Sequence, residues 1–181
     1  TRIESGLKIQ PIDYLEIASE IHKYLNSQWN KYLTTTFDKN LENIDKNSLS
    51  IPKEILKINN LVITTNYDYV LLKSYLDENT ILPIEWDKKA LAGQVDSLKQ
   101  PPLKQTIWYL HGKISNLDDI VFTKESYEET YKENSGAIEV LKSHLLTKSF
   151  IFCGFSLDDP YIKMQLKKLK EIFGTNLSKH Y

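Results

Sequence analysis

The sequence predicts an α/β fold in which a mostly parallel sheet is covered by helices on both faces. Segments rich in β-favouring residues alternate along the chain with segments of helical periodicity. The strand-like segments are continuously apolar and do not alternate apolar with polar residues. That pattern is typical of parallel strands that are buried on both faces.

The composition indicates one soluble domain. The 181 residues are 41% hydrophobic and 26% charged, and the net charge of -1 gives no general attraction to nucleic acid or to anionic membranes. No apolar run approaches the roughly 20 residues that cross a bilayer, and no signal peptide precedes the first helix. We therefore expect a cytoplasmic location. The single cysteine, Cys153, excludes an intrachain disulfide and a multi-cysteine zinc site, and its apolar surroundings predict a small buried hydrophobe.

The first 60 residues predict helices. Apolar residues at helical spacing, preceded by the start signal Asp13, predict one long helix over 13–33. The polar stretch 34–50 predicts a loop or a frayed helix. Pro52 lies in the first turn of a short helix that is expected to end near Lys57.

Four apolar segments predict the strands. These are residues 61–65, 106–110, 149–153 and the shorter 120–122. A helix is predicted over 68–76. Residues 77–104 are predicted as a long irregular stretch, because Pro83, Gly93 and Pro101 interrupt every pattern there, and such stretches are often functional loops.

Clear start and stop signals mark the later helices. Thr123 is expected to cap a helix with Glu125 in its first turn, and a second helix is predicted over 137–147. A last helix begins at 158–160, where two aspartates precede a proline, and Gly174 ends it. We interpret those two aspartates as helix caps in preference to metal ligands.

Three of the predicted strands end in polar corners, at residues 64–68, 111–112 and 154–156. The carboxyl ends of parallel strands share one edge of a sheet, where ligands bind in α/β proteins. We therefore expect the three corners to converge on one crevice.

The residues of these corners suit a small polar ligand. His111 can act as a general base near neutral pH, and Asn66 can orient a water or a sugar hydroxyl. Asp68 can accept a hydrogen bond from a ligand amide. Gly154 allows a backbone to approach closely, and Ser156 can bond a ribose or a phosphate.

Each of these residues also has a structural interpretation. Asn66 at a strand exit is often a turn residue, and a lone histidine such as His111 is more often structural than catalytic. Trp108, Tyr109 and Phe155 are interpreted as packing residues in preference to a ligand stack. The ordered set, with each corner following a strand, favours function over these alternatives.

The corners resemble the SIR2-like group of the sirtuin superfamily, in the bacterial branch associated with antiviral defence. Sirtuins carry T-Q-N-I-D at the NAD site, and this chain has T-T-N-Y-D at 64–68. Leu110-His111-Gly112 resembles the catalytic histidine segment, and 154–157 resembles the late G-[TF]-S-L motif. The resemblance covers about residues 12–181 and implies a Rossmann-like fold.

The resemblance implies a role for each matching residue. Asn66 would position the nicotinamide ribose and the attacking water, Asp68 would bond the nicotinamide amide, and His111 would be the catalytic base. Gly154 and Ser156 would contact the adenosine ribose. The full implied set is catalytic Asn66 and His111, and NAD-binding Thr64, Thr65, Asn66, Asp68, Gly154, Phe155 and Ser156.

Two departures from the sirtuin pattern refine the expected activity. The deacylases of the superfamily hold a zinc module with four cysteines, which a chain with one cysteine cannot build. This favours NAD hydrolysis without a metal over protein deacylation. The chain also lacks the family's N-terminal G-A-G-x-S phosphate loop, which would explain why it has only six glycines. The family usually has one more strand after the last helix, and His180-Tyr181 resembles its first residues, so we expect residues 1–181 to be a domain truncated at both ends within a longer protein.

The expected function is therefore cleavage of NAD to nicotinamide and ADP-ribose, with NAD as a substrate, in abortive antiphage defence. The alternative is a non-catalytic module that senses NAD or ADP-ribose and gates a partner domain, and protein deacylation is the weakest candidate. The resemblance implies a homo-oligomer and a further sensor or effector domain. No direct contact with nucleic acid or membrane is expected from this domain.

Overall fold

The computed structural model describes residues 13–37, 44–132, 135–155 and 159–181. Its centre is a parallel sheet of three strands, β1 (Leu61–Thr64), β2 (Ile84–Trp86) and β3 (Thr106–Tyr109). The spatial order is β1-β3-β2, so that β3 is the central strand. Leu61 of β1 and Ile84 of β2 both pair with Thr106. This confirms the α/β prediction and two of the predicted strands.

Helices precede, connect and follow the strands. Within the described residues they are α1 (Tyr14–Leu25), α2 (Trp29–Phe37), α3 (Ser50–Ile58), α4 (Val70–Leu76), α5 (Leu91–Lys99), α6 (Lys124–Tyr131), α7 (Gly136–Thr147) and α8 (Pro160–Phe173). Helix α4 connects β1 to β2 and α5 connects β2 to β3, as parallel pairing requires a crossover between strands. None of these helices has the length and apolar character that a bilayer span needs.

Both faces of the sheet are covered. Successive side chains of a strand point to opposite faces, so Trp108 packs on one face, and Ile107 and Tyr109 pack on the other. All three are fully buried. Their partners are Ile138, Leu141 and Leu145 of α7 on the first face, and Leu56 of α3 with Leu71 and Leu72 of α4 on the second. The interpretation of Trp108 and Tyr109 as packing residues is confirmed.

The prediction of a single helix over 13–33 is wrong, because the structure has two helices there. Asp13 begins α1 as expected, accepting from the backbone of Leu15 and Glu16 through Oδ1. A 3-10 turn over Asn26–Gln28 then separates α1 from α2. Asn26 has a φ of 44°, a left-handed conformation that asparagine tolerates better than most residues and that ends a helix.

The stretch 77–104 is more regular than predicted, since it contains β2 and α5. Trp86 at the end of β2 is buried and meets Trp108 edge to face at 6.4 Å between ring centroids. Gly93 lies inside α5 where a Cβ atom would come within 3.0 Å of Trp86 Nε1. The glycine that suggested a loop is therefore a point of close helix-to-strand packing.

Two predicted strands are absent from the described structure. Residues 120–122 follow a 3-10 turn and form no strand, although Val121 N donates to the carbonyl of His111 at 2.9 Å. Residues 149–153 are not a strand either, and among the described residues their backbone partner is Tyr181. Tyr181 N donates to Phe150 O at 2.8 Å and Phe152 N donates to Tyr181 O at 2.6 Å. One such pair of bonds does not make a ladder.

Cys153 is exposed, which corrects the expectation of a buried hydrophobe. The apolar neighbours Phe150 and Phe152 are only half-buried, and Ile151 is 59% exposed. An extended apolar segment buries all its side chains only when other elements cover both of its faces, and the described residues leave Ile151 and Cys153 uncovered.

Candidate active site

The corner after β1 is held by its own side chains. Asn66 N donates to Thr64 Oγ1 at 3.1 Å, and Val70 N donates to Asp68 Oδ1 at 2.9 Å. The second bond satisfies a free amide at the start of α4. The side chain of Asn66 is exposed, while Thr64, Thr65 and Asp68 are half-buried. The corner therefore presents an amide beside a partly sheltered carboxylate.

A cavity of about 600 Å³ lies against this corner. That volume is in the range of pockets that hold cofactor-sized ligands. The predicted site residues that line it are Thr64, Thr65, Asn66, Asp68, Gly154 and Phe155. The structure thus brings the corner after β1 and the loop after residue 153 onto one cavity. Ser156 and Asp158 lie outside the described residues.

The cavity is lined by both polar and apolar groups. The corner at 64–68 supplies polar groups, and Val62, Ile63 and Leu110 supply apolar ones. Phe155 stacks on Phe152 at 5.7 Å between ring centroids, so it packs against the protein while also lining the cavity. Gly154 has a φ of 63°, and no atom lies within 4 Å of the position its Cβ would take. The backbone at Gly154 is therefore open towards the cavity.

His111 occupies a different position from the other predicted residues. Its side chain is 1% exposed and is not among the cavity-lining groups, although its neighbour Leu110 is. Its Nε2 lies 2.7 Å from the Tyr131 hydroxyl, and its Nδ1 lies 3.4 Å from the Tyr127 hydroxyl. Asp159 Oδ2 lies 3.9 Å from Nε2. The histidine is thus enclosed by two tyrosines and a carboxylate.

Burial determines the charge state of this cluster. It lowers the pKa of His111 to about 4, and the nearby Asp159 carboxylate opposes that shift only in part. Burial also raises the pKa of Tyr127 and of Tyr131. At neutral pH the imidazole is therefore uncharged and both tyrosines are protonated. His111 and Asp159 do not form an ion pair under these conditions, and the imidazole is in the form that can accept a proton.

A family model described as a SIR2-like domain matches residues 60–181. The chain belongs to the SIR2-like domain family. The matched range begins just before β1, so it contains the corner at 64–68, His111 and the loop at 154–155.

Curated relatives of this SIR2-like domain carry one name. The chain is 32% identical over 120 residues to the NAD(+) hydrolase ThsA of Enterococcus faecium, and 28% identical over 118 residues to that of Bacillus cereus. The ThsA of Acinetobacter baumannii is 30% identical over 118 residues. These matches cover 65% of this chain but only 23–24% of each relative. The chain therefore spans about a quarter of the length of the curated relatives it matches.

Sequence reasoning missed the two tyrosines around His111 in this SIR2-like domain. Tyr127 and Tyr131 are four residues apart on α6, so they share one face of the helix, and their rings stack at 5.9 Å between centroids. The sequence signal that could have identified them is two tyrosines four residues apart on a helix that Thr123 caps. Asp159 was identified only as a helix cap, which it is, since its Oδ1 accepts from Tyr161 N at 3.0 Å.

The SIR2-like domain gathers no group of three or more His, Cys, Asp or Glu side chains that could hold a metal ion within the part of the chain that the structure describes. Asp159 is engaged in capping α8, as the sequence suggested. The polar groups that the described residues place at or beside the cavity include an amide, carboxylates, hydroxyls and the imidazoles of His111 and His144.

Proposed function

We propose that this SIR2-like domain cleaves the bond between nicotinamide and ribose in NAD, with water as the acceptor. The observation that carries the proposal is that the polar corner at 64–68 and the loop at 154–155 line one cavity of about 600 Å³. The curated relatives, which are named NAD(+) hydrolases, support the choice of substrate.

The chemistry needs orientation and a base. The bond from C1′ of the ribose to the nicotinamide nitrogen breaks, and its electron pair neutralises the pyridinium, so the leaving group departs without a proton. Positive charge develops on the ribose in an oxocarbenium-like state, as in glycoside hydrolysis. A water oxygen then bonds to C1′ and passes its proton to the base, which gives ADP-ribose.

The proposal gives each site residue one task. Asn66 orients the attacking water and the ribose, since an amide both donates and accepts. Asp68 accepts from the nicotinamide amide through the carboxylate oxygen that does not cap α4. Thr64 and Thr65 supply hydroxyls to the same wall. His111 takes the proton, which requires that the water or a ribose hydroxyl reach it from beside Leu110.

The adenosine end of NAD is proposed to lie by the loop at 154–156. Gly154 lets the backbone approach a ribose closely. The position that a Cβ atom would take is empty, so this space is free for the ligand. Phe155 forms an apolar surface beside it, and Ser156 supplies a hydroxyl. Together with the corner at 64–68, these groups bind the two ends of one dinucleotide.

The test is nicotinamide release from NAD by the whole protein. We expect Asn66→Ala to lower kcat at least about 100-fold, as removal of a single positioned polar group does in other hydrolytic sites. Asn79→Ala is the matched control, because Asn79 donates to Tyr75 O at the end of α4 and does not line the cavity. His111→Gln should also abolish turnover while its melting curve reports folding. Full activity in both Asn66→Ala and His111→Gln would refute the site.

The burial of His111 favours a second candidate, in which the domain senses NAD or ADP-ribose without cleaving it and gates a partner domain. His111 is 1% exposed and is bonded to two tyrosines, and such burial and bonding are also typical of a histidine with a structural role. Calorimetry distinguishes the two functions. Binding of NAD without release of nicotinamide would favour sensing.

The proposal extends to the cell, where NAD hydrolysis would act in antiphage defence in the cytoplasm, in a homo-oligomer with a further sensor or effector domain. Its support is the resemblance to the bacterial defence branch and the greater length of the ThsA relatives. Infected cells that carry the wild-type protein should lose NAD, and cells that carry Asn66→Ala should retain it. Equal NAD levels in the two would contradict this setting.

A further inference from the structure

The two carboxylate oxygens of Asp159 have different partners. Oδ1 accepts from Tyr161 N at 3.0 Å and from Ile162 N at 2.9 Å, and so caps α8. Oδ2 accepts from the Tyr127 hydroxyl at 3.2 Å and lies 3.9 Å from His111 Nε2. The side chain of Asp159 is 9% exposed. Helix capping accounts for one oxygen only, and the second is directed at the buried histidine.

The hydrogen bonds have one consistent direction. A carboxylate only accepts, so the single hydroxyl proton of Tyr127 goes to Asp159. The oxygen of Tyr127 is then an acceptor, and its partner at 3.4 Å is Nδ1 of His111, which must carry the proton. Nε2 is left with the lone pair, and the Tyr131 hydroxyl donates to it at 2.7 Å.

We infer that Asp159, acting through Tyr127, is a positioning residue that holds the His111 imidazole as the Nδ1–H tautomer and leaves Nε2 as the basic atom. The inference rests on the proposed role of His111 in NAD cleavage. Neither Asp159 nor Tyr127 lines the cavity, so both act on the histidine and not on the ligand.

The variant that separates this role from capping is Asp159→Asn. The asparagine keeps Oδ1 for the backbone of Tyr161 and Ile162, and asparagine caps helices as well as aspartate does. Its Nδ2 now donates to the Tyr127 oxygen, which turns the tyrosine proton towards Nδ1 and moves the imidazole proton to Nε2. We expect kcat of the whole protein to fall at least about 10-fold with KM unchanged, because the base has the wrong tautomer.

Asp13→Asn is the matched control. Asp13 caps α1 in the same way, with Oδ1 accepting from Leu15 N at 3.0 Å and Glu16 N at 3.2 Å, and it is exposed. Its substitution should leave kcat and KM unchanged. An equal loss of kcat in Asp13→Asn and Asp159→Asn would mean that losing a negative charge at a helix N-terminus, and not an effect on the histidine, explains the result.

A double-mutant cycle tests whether Asp159 acts through the tyrosine. Tyr127→Phe removes the hydroxyl and keeps the ring that stacks on Tyr131 and Tyr161. We expect Asp159→Asn to cause no further loss of kcat in the Tyr127→Phe background, since the hydrogen bonds from Asp159 through Tyr127 to His111 are already absent there. Multiplicative losses would show that the two residues act independently, which overturns the inference.

A spectroscopic measurement keeps the inference separable from NAD hydrolysis. Imidazole ¹⁵N shifts of the whole protein labelled at histidine, assigned with His111→Gln, should show a proton on Nδ1 in the wild type and on Nε2 in Asp159→Asn. A tautomer that is the same in both proteins overturns the inference even if NAD is cleaved. The expected switch in a protein that releases no nicotinamide would support the positioning and refute the proposed function.

Discussion

Gly112 has a backbone conformation that residues with a side chain rarely adopt. Its φ is 81°, in the left-handed region, and a Cβ placed there would lie 2.5 Å from the carbonyl oxygen of Asp119. The residue directly follows His111, so its conformation determines how the chain leaves the histidine. The sequence suggested that a strand ends here, but the contact with Asp119 exists only in the folded chain.

We predict that Gly112→Ala destabilises the protein by more than about 2 kcal/mol, because left-handed strain of about 1–2 kcal/mol is added to a clash with backbone. Gly154→Ala is the control for strain alone, since Gly154 has a φ of 63° and open space at its Cβ position. Urea unfolding of both variants measures the difference. Equal losses of stability would mean that the contact with Asp119 is relieved by a small shift.

The helix ends show where local sequence determines an element. The hydroxyl of Thr123 accepts from Ser126 N, and Ser126 Oγ accepts from Thr123 N at 2.9 Å, which forms a capping box at the start of α6. Asp159 and Gly174 bound α8 as the sequence predicts. These bonds join residues within one helical turn, so that the signal and the structure lie in the same few residues.

Thr123→Val is predicted to lower the free energy of unfolding by about 1 kcal/mol, because it removes the capping hydroxyl and keeps the shape of the side chain. Thr130→Val on the same helix is the matched control. Thr130 is 6% exposed, and its hydroxyl has no hydrogen-bond partner within the described residues. Its removal should be neutral or stabilising. Thermal unfolding compares the two, and a larger loss at Thr130 would contradict the assignment.

Elements that depend on distant partners were predicted less well. The sequence predicts an irregular stretch around Trp86 and Gly93, yet the two residues belong to β2 and α5, which pack against each other. Residues 149–153 have the composition of a strand, yet a strand needs a neighbouring ladder, and the described residues offer only the pair of bonds to Tyr181. The apolar composition of a segment predicts that it is buried, but it does not identify the elements that bury it.

The stability of the whole molecule should depend on pH through buried histidines. Burial lowers the pKa of His111 from 6.5 to about 4 and also lowers the pKa of His144 and of His180. Between pH 6.5 and 4 these histidines therefore bind protons in the unfolded protein but not in the folded protein. The free energy of unfolding falls as the pH falls through this range. A shift of this size at His111 corresponds to about 3 kcal/mol.

We predict that the free energy of unfolding falls over this window in the wild type and falls less steeply in His111→Gln. His22→Gln, at an exposed histidine on α1, is the control for the substitution itself. Denaturant unfolding at a series of pH values between 4 and 7 gives the slopes. The same slope in wild type and His111→Gln would show that the buried imidazole does not oppose protonation.

The sequence by itself determined the parallel α/β class, two of the strands, the capped helices and the corner residues Thr64, Thr65, Asn66 and Asp68. These depend on the spacing of apolar residues and on bonds between near neighbours. The sequence also predicted that the three corners converge on one crevice, and the structure places the corner at 64–68 on one cavity with Gly154 and Phe155. Only the tertiary structure decided that His111 does not line that cavity and lies buried among Tyr127, Tyr131 and Asp159. Those contacts join residues from separate elements, so burial and electrostatics at the site follow from packing, which no local pattern records.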